Sequence, residues 1–260
     1  MRLKSKTYNM PKYTFRKVYV FFFSLLVFML HLPFAFSSTK SIKFGHEYKG
    51  PELIVKNVAN RSDFISTLYA NMGLNGRGLS EEAFMAAMKG FDKLMIEGKI
   101  LNDKIITIVD FTKPSTQKRM FVLDVDNQKL LFNTYVAHGQ KSGKEFANQF
   151  SNIPESYQSS LGFYETSSTY IGKNGYSMKL KGLENGINNL AEERAVVVHG
   201  APYVSENFIH IKGYLGRSWG CPALPENLNK PIIDKIKNGS CLFIYSHNNN
   251  YLNQSKILNS

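Results

Sequence analysis

The sequence predicts a mostly β domain, a sandwich of mixed sheets with a few helices, preceded by a small helical segment. Three observations predict it. Apolar side chains recur at helical spacing through residues 51–99. From Lys104 onward the texture changes to short β-branched and aromatic runs broken by turn residues. No internal repeat or low-complexity stretch separates the two textures. The 260 residues suffice for one medium domain with appendages. A composition 43% hydrophobic and 20% charged is that of a globular chain, and excludes a coiled coil, a collagen or a disordered polymer.

The elements follow in order. Residues 1–37 read as a secretory signal peptide. Arg2, Lys4, Lys6, Lys12, Arg16 and Lys17 precede an apolar run at 18–30, and Ala35-Phe36-Ser37 offers small residues for cleavage after Ser37. The run is short for a membrane span, and no cysteine near the cleavage point suggests a lipoprotein. The reading is therefore of an exported protein of the periplasm or cell envelope, with no transmembrane span in the mature chain. Residues 38–100 form the helical segment. Within it Ser80 caps a helix that opens on Glu81 and Glu82, carries Phe84, Met85, Met88, Phe91, Leu94 and Met95, and closes before Gly98. A turn at 75–78 separates it from an earlier helix at 62–72.

Residues 101–247 form the β-rich domain. Strands are expected at 105–111, 120–125, 130–136, 162–171, 176–180, 195–198 and 241–245, with Asp126-Asn127 as a hairpin turn. Pro231 begins a short helix ending before Gly239. The last stretch, 248–260, is a polar tail expected to fray.

The chain carries a formal charge of +12. Removing residues 1–37 takes six basic residues and no acidic one, leaving 26 basic against 20 acidic, or +6. A moderately basic surface suits an anionic partner such as cell wall. No basic stripe is interleaved with aromatics, so nucleic acid is not a partner. Two cysteines are present. Cys241 lies in an apolar strand and Cys221 in a glycine-rich loop, and an exported chain with an even count raises the alternative of a disulfide between them.

The informative stretch is 196–224, VVVHGAPYVSENFIHIKGYLGRSWGCPAL. A hydrophobic strand ends in His199-Gly200. Cys221 follows inside Gly216-Arg217-Ser218-Trp219-Gly220-Cys221-Pro222. A thiol at neutral pH is only slightly ionised, and a histidine fixed on a rigid strand can take its proton. Glycine before the cysteine lets the backbone amides of Gly220 and Cys221 face a developing oxyanion. Ser218 and Trp219 are read as orienting or wall residues. His138, before a glycine, and His210 are rival histidines, read as substrate-wall, loop or edge residues. No metal-ligand spacing joins His138, His199 and His210.

The pattern His-Gly, spacer, Ser-x-Gly-Cys resembles the murein L,D-transpeptidase catalytic domain family, a YkuD-like branch. Here it falls on His199-Gly200 and Ser218-Trp219-Gly220-Cys221. Further stretches resemble the same branch: Val136-Ala137-His138-Gly139, Phe150-Ser151-Asn152, Ser160-Leu161-Gly162-Phe163-Tyr164 and Gly182-Leu183-Glu184. The likeness covers about 70–245. Two departures stand out. The wider family has histidine where Trp219 stands, and a branched apolar residue then arginine where Pro222-Ala223 stands. Arg217 is a candidate replacement for that arginine as a carboxylate binder, and equally a residue pinning the loop.

The resemblance implies a β-sandwich-like catalytic fold and a cysteine peptidoglycan L,D-transpeptidase with no cofactor. Cys221 would form a thioester on a tetrapeptide stem with release of D-alanine, and His199 would be its base. The acceptor is a second stem, an acceptor lipoprotein lysine or water, the last giving an L,D-carboxypeptidase. The reading from a different class is a non-catalytic cell-wall-binding protein.

Overall fold

The computed structural model describes residues 58–259, with side chains from residue 61. The expected signal peptide and the start of the helical segment lie outside the described residues. Three helices come first: α1 (Val58–Asn71), α2 (Leu74–Arg77) and α3 (Glu81–Ile96). The turn expected at 75–78 is the single-turn helix α2, set between Gly73 and Gly78.

Ser80 caps α3 as expected, its hydroxyl accepting from the Ala83 amide at 3.4 Å. The same hydroxyl donates to Asp110 at the end of the first strand, at 2.8 Å. Phe84, Met88, Phe91 and Leu94 make the buried stripe of α3. Each such side chain contributes roughly 1.5–3 kcal/mol on burial. Gly90 faces the Phe163 ring, whose atoms come within 2.0 Å of where a Cβ would stand, so the helix backbone itself rests on the sheet.

The strands are β1 (Ile105–Asp110), β2 (Met120–Asp124), β3 (Lys129–Thr134), β4 (Gly162–Gly172), β5 (Gly175–Gly182), β6 (Val197–Gly200), β7 (Ala223–Leu224) and β8 (Cys241–Tyr245). They form one mixed sheet in the order β3-β2-β1-β8-β4-β5-β6-β7. Only β1–β8 and β6–β7 run parallel. Ala137, just beyond β3, donates to the Ala223 carbonyl of β7 at 2.9 Å, so the two edges nearly close the sheet into a barrel. Closure removes the open edges that invite aggregation. The mostly β architecture behind a helical lead-in is the one expected.

Three helices interrupt or follow the later strands. α4 (Glu206–Lys212) fills part of the connection between β6 and β7 and is capped by Ser205. α5 (Glu226–Ile236) starts well before Pro231, which lies inside the helix and forfeits one backbone bond there. α6 (Asn249–Gln254) corrects the expectation of a frayed tail. Polar by count, the tail still buries Tyr251, Ile257 and Leu258. Its Tyr251 and Ser255 hydroxyls donate to the buried carboxylate of Glu184, the former at 3.2 Å. No described helix is long and apolar enough to cross a membrane.

Candidate active site

Strand β6 positions the histidine. Val197 pairs with Lys179 and His199 with Ser177 on β5, so Val197 and His199 share one face. His199 is buried, at 4% exposure. Its Nδ1 lies 2.9 Å from the Gly200 carbonyl. A carbonyl only accepts, so Nδ1 carries the proton and Nε2 keeps its lone pair. Nε2 has no hydrogen-bond partner among the described residues. Burial lowers the imidazole below its ordinary range, with the Gly200 contact pulling the other way. The ring is therefore a neutral base at neutral pH. Gly200 sits against α5, with the Asn229 side chain 3.1 Å from where a Cβ would be.

The parallel register of β6 with β7 sets His199 beside Ala223, and so brings Cys221 alongside Val197. The Val197 amide donates to the Cys221 sulfur at 3.4 Å, and the thiol faces the Ala195 carbonyl at 3.7 Å. Both cysteines are free, so the disulfide alternative is excluded; Cys241 is buried in β8. Cys221 is half-buried. Burial pushes its thiol up, while the Val197 amide and the Arg194 guanidinium pull it down. The thiol and the imidazole do not hydrogen-bond to each other in this arrangement.

The loop before the cysteine is fixed by Ser218. Its hydroxyl donates to the Cys221 carbonyl at 2.6 Å and accepts from the Gly220 amide at 3.0 Å. Ser218 thus shapes the turn rather than orienting thiol or imidazole. This also corrects the oxyanion expectation for Gly220: its amide is already engaged. The Cys221 amide has no acceptor among the described residues. Gly220 has a φ of +125°. A Cβ there would lie 2.7 Å from the Gln158 carbonyl, so no other residue fits without displacement. Trp219 is 71% exposed and meets Tyr157 edge-on at 5.6 Å.

The other named residues divide. His138 is fully buried. Its Nδ1 accepts from Arg119 at 2.7 Å and its Nε2 donates to the Gly143 carbonyl at 3.2 Å. Burial, then the Arg119 charge, hold it at about 3. It cannot reach a substrate. His210 lies exposed on the last turn of α4, not on an alternating edge. The histidines form no ligand set; no group of three or more His, Cys, Asp or Glu able to hold a metal occurs among the described residues. Arg217 donates to the Gly143 carbonyl at 3.2 Å and lies over the Tyr214 ring, bordering a recess with Gln140 and Lys212.

Sequence reasoning missed Arg194. Its Nη1 donates to the Ser151 carbonyl at 2.7 Å and to the Ser160 hydroxyl. Its Nη2 donates to the Gln158 carbonyl at 2.6 Å and the Ser156 hydroxyl at 3.3 Å. Nη2 also lies 3.4 Å from where a Gly220 Cβ would be. The only signal in the sequence is one basic residue in Ala-Glu-Glu-Arg-Ala, just ahead of β6. A recess of about 150 Å³ is lined by Tyr170, Lys179, Glu192 and residues 195–197, which follow Arg194 in the chain.

Comparison with known proteins places the chain. A family model described as the L,D-transpeptidase catalytic domain matches residues 75–245. No curated protein matches the chain. Among solved structures, an L,D-transpeptidase from Mycobacterium smegmatis is 13% identical, with a TM-score of 0.35 over 55% of this chain and 59% of that one. An L,D-transpeptidase from Stackebrandtia nassauensis is 15% identical, with a TM-score of 0.34 over 71% of this chain and 77% of that one. The helical cell shape determining protein Pgp2 from Campylobacter jejuni is 13% identical, with a TM-score of 0.35 over 56% and 48%. This chain therefore spans less than two thirds of the Mycobacterium smegmatis protein.

Proposed function

The chain belongs to the L,D-transpeptidase catalytic domain family, and on that footing we propose that it is an exported cysteine enzyme acting on the tetrapeptide stems of peptidoglycan. The observation that carries the reading is the β6–β7 register, which sets a free, half-buried thiol beside the strand that holds an imidazole with an open nitrogen.

In the reaction, Cys221 turns from the Ala195 carbonyl toward His199. Such contacts are often long in the unliganded state and tighten when substrate binds. Nε2 takes the thiol proton as sulfur attacks the carbonyl carbon of the third stem residue. The Cys221 amide donates to the oxyanion that forms. Collapse breaks the peptide bond, and the imidazolium returns its proton to the departing D-alanine amine. A thioester remains. An acceptor amine then attacks it, loses a proton to Nε2, and leaves an amide and the restored thiol. Water in place of the amine leaves a tripeptide. Arg217 and Lys212, bordering a recess of about 220 Å³, supply positive charge for a stem carboxylate. Every step is carried by protein side chains and backbone.

The test is incubation of the purified protein with disaccharide-tetrapeptide. Cross-linked dimers with released D-alanine support transpeptidation, and tripeptide alone supports the carboxypeptidase. No change in the substrate with folded protein contradicts both and leaves the wall-binding reading.

A further inference from the structure

We propose that Arg194 is a positioning residue for the reactive thiol. The inference rests on the reading of Cys221 as nucleophile.

The geometry carries it. Residues 194–197 wrap the cysteine. The Ala195 carbonyl faces the sulfur at 3.7 Å and the Val197 amide donates to it at 3.4 Å. Arg194 begins this wrap with its guanidinium against Gly220, the residue before the cysteine. Ala195 has a φ of +52°, a left-handed conformation that a non-glycine residue adopts only when its surroundings hold it there. What holds it is visible on both sides. The Ala195 amide donates to the Glu192 carbonyl at 3.0 Å, and the Arg194 fork makes four hydrogen bonds, all into 151–160.

That segment is in turn the floor of the cysteine loop. Ser159 donates to the Gly220 carbonyl at 3.2 Å, and the Gln158 carbonyl underlies the Gly220 α-carbon. One side chain thus links the approach to the strand that carries His199 with the segment that floors the Cys221 loop. A planar fork is needed for this, because four acceptors surround it in two directions; an ammonium cannot span them in the same way.

Arg217, the basic residue nearest to Cys221 in sequence, is engaged elsewhere: its bond runs to the Gly143 carbonyl and its face lies over Tyr214. Arg194 is the cation whose charge lowers the thiol against the effect of burial. The other group coupled to the sulfur, Tyr203, is raised by burial to about 12 and stays neutral in the working range. His199 on β6 is neutral there as well. Removing the Arg194 charge should therefore raise the pH at which Cys221 ionises.

The experiment follows Cys221 alkylation by iodoacetamide against pH in the full chain, with tetrapeptide turnover measured in parallel. Arg194→Met should raise the midpoint by about one pH unit and lower kcat at least about tenfold, with KM little changed. Ser160→Ala, which loosens the clamp but keeps the charge, should leave the midpoint in place. Arg194→Lys should restore much of the midpoint and less of kcat, and it carries the test if Arg194→Met does not fold. An unchanged midpoint in folded Arg194→Met overturns the proposal. So does a Ser160→Ala shift as large as that of Arg194→Met, or an Arg194→Lys midpoint as high as charge removal predicts. Wild-type protein that neither alkylates at Cys221 nor turns over substrate overturns the nucleophile reading instead.

Discussion

Two histidines of this chain stand in nearly the same local sequence and have opposite environments. Val136-Ala137-His138-Gly139 and Val197-Val198-His199-Gly200 each run from small or branched apolar residues into His-Gly. Both rings are buried. At His138 both nitrogens are engaged, one by a buried arginine. At His199 one nitrogen holds a backbone carbonyl and the other is open. The neighbours that make the difference, Arg119 for one and the Cys221 loop for the other, lie 19 and 22 residues away. Local sequence offers a histidine; long-range packing decides whether both its nitrogens are engaged or one is left open.

The sharpest break of this comparison is exchange at each site. His199→Gln should lower tetrapeptide turnover by about 10²- to 10⁴-fold, the usual contribution of a general base, with thermal stability close to wild type. His138→Ala should do the reverse. It removes one acceptor of the buried Arg119 guanidinium, which keeps its bonds to the Val136 and Lys113 carbonyls, and it leaves a cavity, at a cost of about 2 kcal/mol in stability, while the protein that remains folded keeps its turnover. Thermal melts beside turnover assays check both. Equal loss of activity in the two variants would erase the distinction.

The glycines extend the comparison at smaller scale. A Cβ on Gly139 would lie 2.5 Å from the Tyr157 carbonyl, a backbone atom, whereas one on Gly200 would meet the Asn229 side chain at 3.1 Å. Gly139→Ala should therefore destabilise by about 2 kcal/mol and Gly200→Ala by less than about 1 kcal/mol, read from urea midpoints.

The pH profile sharpens it last. His138 is held at about 3 by burial and Arg119, so it stays neutral throughout the working range. His199 is also lowered, so it remains a competent base to below the ordinary imidazole range, and Cys221 is raised. Because neutral His199 takes the proton from the intact thiol in the proposed reaction, the acid limb of turnover should lie below the ordinary histidine value and move in His199 variants but not in folded His138 variants.

Much of the fold was legible because its signals are local. The apolar runs of β1 and β8, the capped stripe of α3 and the hairpin between β2 and β3 follow from neighbours in sequence. The Cys221 loop and its histidine were legible as a pattern of residue types. What escaped depends on distant partners. Gly220 looked like an oxyanion donor until the Ser218 hydroxyl took its amide. The polar tail looked loose because its anchor, Glu184, is about 70 residues upstream. Arg194 gave no local sign, because its acceptors, two backbone carbonyls and two serine hydroxyls, all lie more than 30 residues earlier.

The most direct measurement is the mass of the folded protein after exposure to a carbapenem, with the modified residue located by peptide sequencing. The account predicts one acyl adduct, on Cys221, lost in Cys221→Ala and kept in Cys241→Ala. Folded protein that carries no adduct, or carries it on Cys241, would contradict it.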